Sequence, residues 1–340
     1  MKRQDPRFHK DSRSISQRRR SQVIKSGETG VVAGIGPGVC QVLCGGRLEK
    51  RRPLPGLAAG DEVRFDHIAV REVLPRRTTL SRPDPTNPRI ERVLAANIDA
   101  VVLVAAVASP PLRPGLIDRY LVAIEKGGAE PVLCVNKSDL AKPEDLAPLE
   151  GYRAIGVPVV LCSALTGAGL DVLLDVLAGK TCVFTGHSGV GKSSLLNAIC
   201  PELRITTGAV DAAHQKGRHT TSSSSLYELP NGIRIIDTPG IREFGLWDVG
   251  ADKLPRYFRE FEDLHCGFTD CTHTHEPRCG VKAEVERGRI SDERYQGYLR
   301  ILESLTKGVN RKTTGRSALP VVYCEIRLFP ERRRARDSCV

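Results

Sequence analysis

The 340-residue sequence has no apolar run long enough to cross a membrane: its longest, AVVLVAAVA at 100–108, falls far short of the ~20 residues a spanning helix needs. That run reads as a buried strand. A secretory apolar stretch is also missing near the amino terminus, which disfavours export. The Arg- and Ser-rich opening has the flavour of an organelle transit peptide, but Asp5 and Asp11 argue against one. There is no internal repeat. A disulfide framework is absent too, because the eleven cysteines are odd in number and mostly lie singly in apolar segments such as VLCVN and VLCSA. Those are expected to be buried thiols in a reducing compartment.

What charge there is sits at the ends. Of the formal net charge of +11, most comes from residues 1–25, with nine Lys/Arg against two Asp, and residues 311–340, with eight against three acids. The body between is nearly neutral. Two basic tails on a neutral body suit a polyanionic partner such as nucleic acid, whose phosphate contacts release counterions, or else are simply solvated, disordered arms.

Along the chain, a basic disordered tail (1–27) precedes short Val-rich runs punctuated by Gly over 28–75, the pattern of a small OB-like β-barrel. The proline-rich stretch 76–92 is expected to be a linker or an ordered loop. From 93 to 245 apolar strands alternate with helical segments, which predicts a parallel sheet with helices on both faces. Residues 246–310 hold a Cys/His cluster and a helical segment, SDERYQGYLRILESLTKG, with Ser291 as N-cap. A basic tail, 311–340, ends the chain. Its strand-like run VVYCEIRLF has no assigned role.

GHSGVGKS at 186–193 fits G-x-x-x-x-G-K-[ST], with a β-type run before it and a helix-forming run after it. Such a loop wraps a phosphate with inward N–H groups, and the helix terminus adds a favourable dipole. Gly186, His187, Ser188, Gly189, Val190, Gly191, Lys192, Ser193 and Ser194 are the expected binding residues, with Lys192 on the terminal phosphates and Ser193 on magnesium. NKSD, ending a strand at 136–139, supplies a base-reading set. Asp139 accepts from the ring N–H and exocyclic amine of guanine, Asn136 braces the loop, and the Lys137 stem lies across the ring, with Ser138 between. Taken alone, NKSD also suits a plain helix cap. SALTG, with Ser163 and the Ala164 N–H, and DTPG, with Asp237 for the magnesium shell, each follow another strand. Four motifs at strand ends point to GTP.

NKSD, SALTG, GHSGVGKSS and DTPG in this order, between an N-terminal barrel and a C-terminal Cys/His cluster, resemble the ribosome small-subunit-dependent GTPase A (RsgA) family of circularly permuted GTPases over roughly residues 28–310. The resemblance implies a multidomain α/β protein: an OB-like β-barrel, a circularly permuted P-loop GTPase domain and a helical zinc-binding domain. It further implies a GTP hydrolase acting on the small ribosomal subunit and its rRNA during late maturation in the bacterial cytoplasm, with GTP and GDP as ligands; a monomer is expected, and the lack of a membrane-seeking segment argues against a membrane partner. In the family GRHTT is the switch motif, so the resemblance gives Thr221 the magnesium-sensing role, with Thr220 as alternate. Many GTPases place a Gln directly after the DxxG glycine to orient water. Here Ile241 stands there, so intrinsic hydrolysis is expected to be slow, and His219 is the nearest substitute.

Cys266, Cys271, His273 and Cys279 have C-x4-C-x-H-x5-C spacing, which suits one closed, structural Zn²⁺ site. His275 is an alternative fourth ligand, though the family pattern favours His273. Two other readings compete with a hydrolase: an RNA-binding assembly factor using GTP as a switch with negligible turnover, and a GTPase acting on another RNA or a membrane target. The inverted motif order leaves the site unchanged, because the motifs meet at strand ends regardless of chain order. It places DTPG last, where it runs through Ile241 into the Cys/His segment, and so suggests a route from nucleotide state to that segment.

Overall fold

The computed structural model describes residues 27–84, 86–87, 89–201, 224–237, 246 and 248–313. Five strands form the amino-terminal barrel: β1 (Glu28–Gly36), β2 (Val39–Cys44), β3 (Arg47–Arg51), β4 (Glu62–Phe65) and β5 (Val70–Val73). Gly45 and Gly46 both have positive φ, 54° and 76°, which gives β2 and β3 the tight two-residue turn whose twist matches the strands. β1 pairs with β2 on one side and β4 on the other, and a bridge between Arg52 and Ala69 closes the circuit. Val32, Val42, Val63, Phe65 and Val70 fill the interior.

The segment expected to be a linker or an ordered loop is instead part of a hairpin. Thr79–Pro83 is a strand, β6, paired antiparallel with β7 (Glu91–Ala96). Only Leu80 of β6 is fully buried, so its alternation is faint in sequence. Its order comes instead from backbone pairing and from Asn97. The Asn97 side chain accepts from Arg77 N–H at 2.9 Å and donates to Gly60 O at 3.0 Å, tying hairpin to barrel. The last helix likewise runs three residues into the expected tail, ending at Thr313.

The alternating region forms β8 (Ala100–Ala106), β9 (Glu130–Asn136), β10 (Val159–Leu161), β11 (Thr181–Thr185), β12 (Ser224–Glu228) and β13 (Arg234–Asp237). Five run parallel in the order β10-β9-β8-β11-β13; β12 is antiparallel to β13. Helix α1 (Pro114–Gly127) packs Ile117, Leu121 and Ile124 on one face with Val101, Leu103 and Leu133. Helices α2 (Leu170–Leu177) and α3 (Lys192–Ile199) cover the other with Leu173, Leu177, Leu195 and Leu196 against Val102, Val104 and Phe184. Burial on both faces is why AVVLVAAVA reads as an unbroken apolar run. The single cysteines follow the same logic: burial pushes the Cys182 thiol up to about 12, so it packs and does not react. The chain turns from one side of β8 to the other between β10 and β11, a switch point whose crevice lies at the strand C-termini.

The carboxyl-terminal region packs around Leu254, Phe258, Phe261, Val281 and Tyr298, with α4 (Gly280–Glu286) and α5 (Asp292–Thr313). Ser291 caps α5, its Oγ accepting from Arg294 N–H at 3.3 Å. α5 docks on α1 through a buried charge cluster. The Arg294 guanidinium donates to Asp118 Oδ1 at 2.5 Å and to Glu260 Oε1 at 2.7 Å, and Tyr152 OH donates to Asp118 at 3.0 Å. Despite the cost of burial, Asp118 and Glu260 hold that guanidinium above its ordinary range, while burial pushes the Asp118 carboxyl up. Gly297 admits the carboxylate, since a Cβ there would lie 2.1 Å from Asp118 Oδ2.

Arg294→Met leaves two carboxylates buried without a counter-charge and is expected to cost about 3–5 kcal/mol, read as a lowered urea midpoint. Adding Asp118→Asn and Glu260→Gln should recover most of the loss. A single variant within ~0.5 kcal/mol of the parent, the range of an inert surface substitution, would remove the cluster from the stability account.

Candidate functional site

The strand C-termini carry the expected nucleotide motifs to one place. β11 is wholly buried and delivers Gly186, with the loop His187, Ser188, Gly189, Val190 and Gly191 leading into α3, whose first residues are Lys192, Ser193 and Ser194. Gly186 has to be glycine because a Cβ would lie 2.3 Å from Val104 O on the neighbouring strand. β9 ends in Asn136, buried and bonded in two directions. Its Nδ2 donates to Val190 O at 2.9 Å and its Oδ1 accepts from Ala164 N–H at 3.0 Å. One side chain therefore links the Gly186–Gly191 loop, the NKSD loop and the Ser163–Ala164 loop.

Gly191 completes that junction. It has φ 85°, and a Cβ on it would lie 2.3 Å from Asn136 Nδ2. Gly191→Ala combines left-handed backbone strain with a clash, together roughly 1–3 kcal/mol. GTP affinity in equilibrium titration is expected to fall by about 10- to 100-fold; unchanged affinity would show that the junction tolerates displacement.

Lys137, at φ 61°, donates its ammonium to Gly189 O at 2.9 Å and to Ser109 O, so its stem lies along the phosphate loop. Ser138 N–H donates to Cys162 O at 3.0 Å. Asp139 is exposed and accepts from Ser163 Oγ at 2.5 Å, which aims its carboxylate beside Ala164. Ser163 Oγ in turn accepts from Thr166 N–H at 3.2 Å and shapes the loop. The sequence reading did not single out the 107–113 segment that supplies Ser109 O. It has no motif, and its place beside the phosphate loop comes from β8 running next to both β9 and β11.

Asp237 ends β13, next to β11 in parallel register, with Val183 opposite Ile236. An oxygen donor thus stands one strand away from the Lys192–Ser193 turn. His219, Thr220, Thr221 and Ile241 lie outside the described residues.

The Cys/His cluster is a second centre. One ligand atom each from Cys266, Cys271, His273 and Cys279 lies within 4.8 Å of every other. His273 Nδ1 is 3.5 Å from Cys266 Sγ and 3.4 Å from Cys279 Sγ. Metal–sulfur bonds of about 2.3 Å around a tetrahedral ion require ligand separations of this size, so the four residues can hold a metal. His273, the expected ligand, is the histidine brought to the thiols, whereas the alternative His275 has its Nδ1 2.9 Å from the Thr274 hydroxyl. Burial lowers the His273 imidazole, which keeps it neutral and able to ligate. The loop is held by α5: Tyr295 OH donates to His273 O at 2.6 Å and Tyr298 OH to Thr272 O at 2.7 Å.

Comparison with known proteins follows the same lines. The family model for RsgA GTPase matches residues 73–247. A protein from Yersinia enterocolitica named small ribosomal subunit biogenesis GTPase RsgA is 41% identical over 268 residues, 76% of this chain and 75% of its own. One of the same name from Haemophilus influenzae is 40% identical over 276 residues, covering 77% and 79% of the two chains. Among solved structures, YjeQ from Thermotoga maritima superposes with a TM-score of 0.69 at 32% identity over 83% of this chain and 99% of that one. YloQ, a circularly permuted GTPase, gives 0.64 at 28% identity, covering 84% and 96%.

Proposed function

The chain belongs to the RsgA GTPase family, and from that we propose that it hydrolyses GTP while assisting late maturation of the small ribosomal subunit, with hydrolysis stimulated by the subunit and coupled to release. The observation that carries the reading is the double engagement of Asn136, which joins base-reading, Ser163–Ala164 and phosphate loops into one site. The relatives' names supply the partner. Asp139 selects guanine, the loop from Gly186 to Ser194 binds the phosphates, and Lys192 neutralises developing charge. Ser193 and Asp237 offer the hard oxygen donors magnesium prefers, joined by Thr221. Bound magnesium would supply charge neutralisation on the phosphates. With Ile241 in the position where many GTPases carry Gln, His219 orients the attacking water and the rRNA partner completes the site. Zinc is the metal that best suits three thiolates and an imidazole with all four positions filled. No described helix is long and apolar enough to cross a membrane. We place the protein, as a monomer, in the cytoplasm with the ribosomal particle it serves.

The test is GTP turnover by the purified protein with and without small subunits at fixed salt. Stimulation of roughly tenfold or more is expected, since a partner-completed GTPase site gains 10³ or more in favourable cases. Absence of stimulation at concentrations where binding is demonstrable would refute the reading. His219→Ala should abolish stimulation with GTP binding intact; undiminished stimulated turnover would take His219 out of the mechanism.

A further inference from the structure

A cavity of about 800 Å³ lies in the carboxyl-terminal region, between α5 and the loop that carries the cysteine cluster. The α5 side chains that line it lie between Gln296 and Thr306 and include Leu299 and Leu302. Its charged lining is Asp252, Asp270 and Glu303 with Arg300, and Glu303 also pairs with Lys307, which leaves a net negative charge. None of the lining residues belongs to the nucleotide site, and one of them, Cys271, also belongs to the cysteine cluster, so the cavity borders that centre. The lining thus combines apolar Leu299 and Leu302 with a net negative charge, which fits a basic segment with alternate apolar side chains.

Such a segment is tethered to it. Beyond Thr313, where α5 ends, 27 residues remain. They contain Gly315 and Pro320, both helix-stop signals. Val322, Cys324, Ile326 and Leu328 then recur at every second position, and Arg332, Arg333, Arg334 and Arg336 follow. We propose that this groove is the docking site of the chain's own residues 318–336, apolar positions on Leu299 and Leu302 and arginines against the acidic side chains. Reach is sufficient. At 1.5 Å rise per residue the groove starts ~10 Å back from Thr313 and runs ~15 Å along α5, whereas 20 residues of chain can span more than ~60 Å. Affinity need not be high, because a short tether gives millimolar effective concentration. An intrinsic Kd of ~0.1 mM then yields about tenfold protection of the groove.

Amide exchange of residues 269–275 and 296–306 tests this in three forms of the protein: the full chain, the full chain with Val322→Asp and Ile326→Asp, and a chain ending at Ser317. Expected are exchange about tenfold slower in the full chain than in the other two, and recovery when a peptide of residues 318–340 is added at millimolar concentration to the shortened chain. Glu303→Lys should weaken the protection. Equal exchange in all three forms would overturn the proposal. So would protection that appears only on adding small ribosomal subunits, which would give the groove to a partner; that outcome leaves the GTPase reading intact.

Discussion

Stripping the metal from the Cys266/Cys271/His273/Cys279 cluster is expected to melt the loop around it and release α4, while the parallel sheet stays folded. Structural zinc contributes about 10–16 kcal/mol in small zinc-dependent modules, more than a small region's own apolar packing supplies. Here the ligand loop buries little apolar surface: Cys266, Cys271 and His273 are half-buried among mostly exposed residues. Its other anchors are two tyrosine hydroxyls on His273 O and Thr272 O, the Gly280 N–H that donates to Cys266 Sγ at 3.3 Å, and the Gly267 N–H that donates to Arg278 O at 2.8 Å. To these are added the Glu276 carboxylate that accepts from Thr272 and Thr274 N–H, Lys282 on Glu276 O, and the packing of His273 on Phe261 and Tyr298. Cys279 directly precedes α4, so loss of its bond loosens that helix start. Chelation, or Cys266→Ser, should collapse exchange protection over residues 265–290 and release one zinc per chain in a colorimetric assay. GTP binding should persist, because Asn136 and its partners lie in a separate core. Retained protection after complete chelation would show that the cluster is dispensable to the fold.

Asp139→Ala should cost GTP binding by about 10²- to 10⁴-fold, on the basis of two hydrogen bonds to a charged acceptor at about 1.5–3 kcal/mol each. The carboxylate is exposed and already accepts from Ser163 Oγ, so it is oriented before the base arrives. ATP binding should be weak before and after, since adenine lacks the paired donors. Asp139→Asn makes a sharper test. Xanthine carries an oxygen where guanine carries the exocyclic amine, and an amide can donate to it, so the variant should prefer xanthosine triphosphate to GTP. Competition against a fluorescent guanine nucleotide measures both variants. A parent-like GTP affinity in Asp139→Ala would move base recognition elsewhere.

How much of this was legible in the sequence depends on the range of the interaction. Gly186, Gly191 and Lys192 stand at fixed local offsets because a phosphate loop is one turn between a strand and a helix, and local geometry writes itself into adjacent residues. The cysteine spacing is local in the same sense. The strand β6 escaped notice because a strand with one buried side chain leaves almost no alternation to read. His273 and His275 could not be separated by spacing, since a difference of two residues is decided by which ring the turn points at the thiols.

The sequence by itself thus determined the nucleotide motifs, their order along the chain and the three cysteines of the cluster. Tertiary structure alone decided how the parts are joined. Strand β12, which follows the expected switch segment, pairs antiparallel with β1 of the barrel through Gly34–Ser225 and Ile35–Ser224, making one sheet of eleven strands among the described residues. Arg294 meets Asp118 across 176 positions of chain. Motif order joins DTPG in sequence only to the Cys/His region, whereas the sheet joins the same part of the chain to the barrel. Neither junction has a periodic signature. Backbone pairing accepts almost any side chain, and one buried ion pair is one residue on each side, so only the folded chain brings them together.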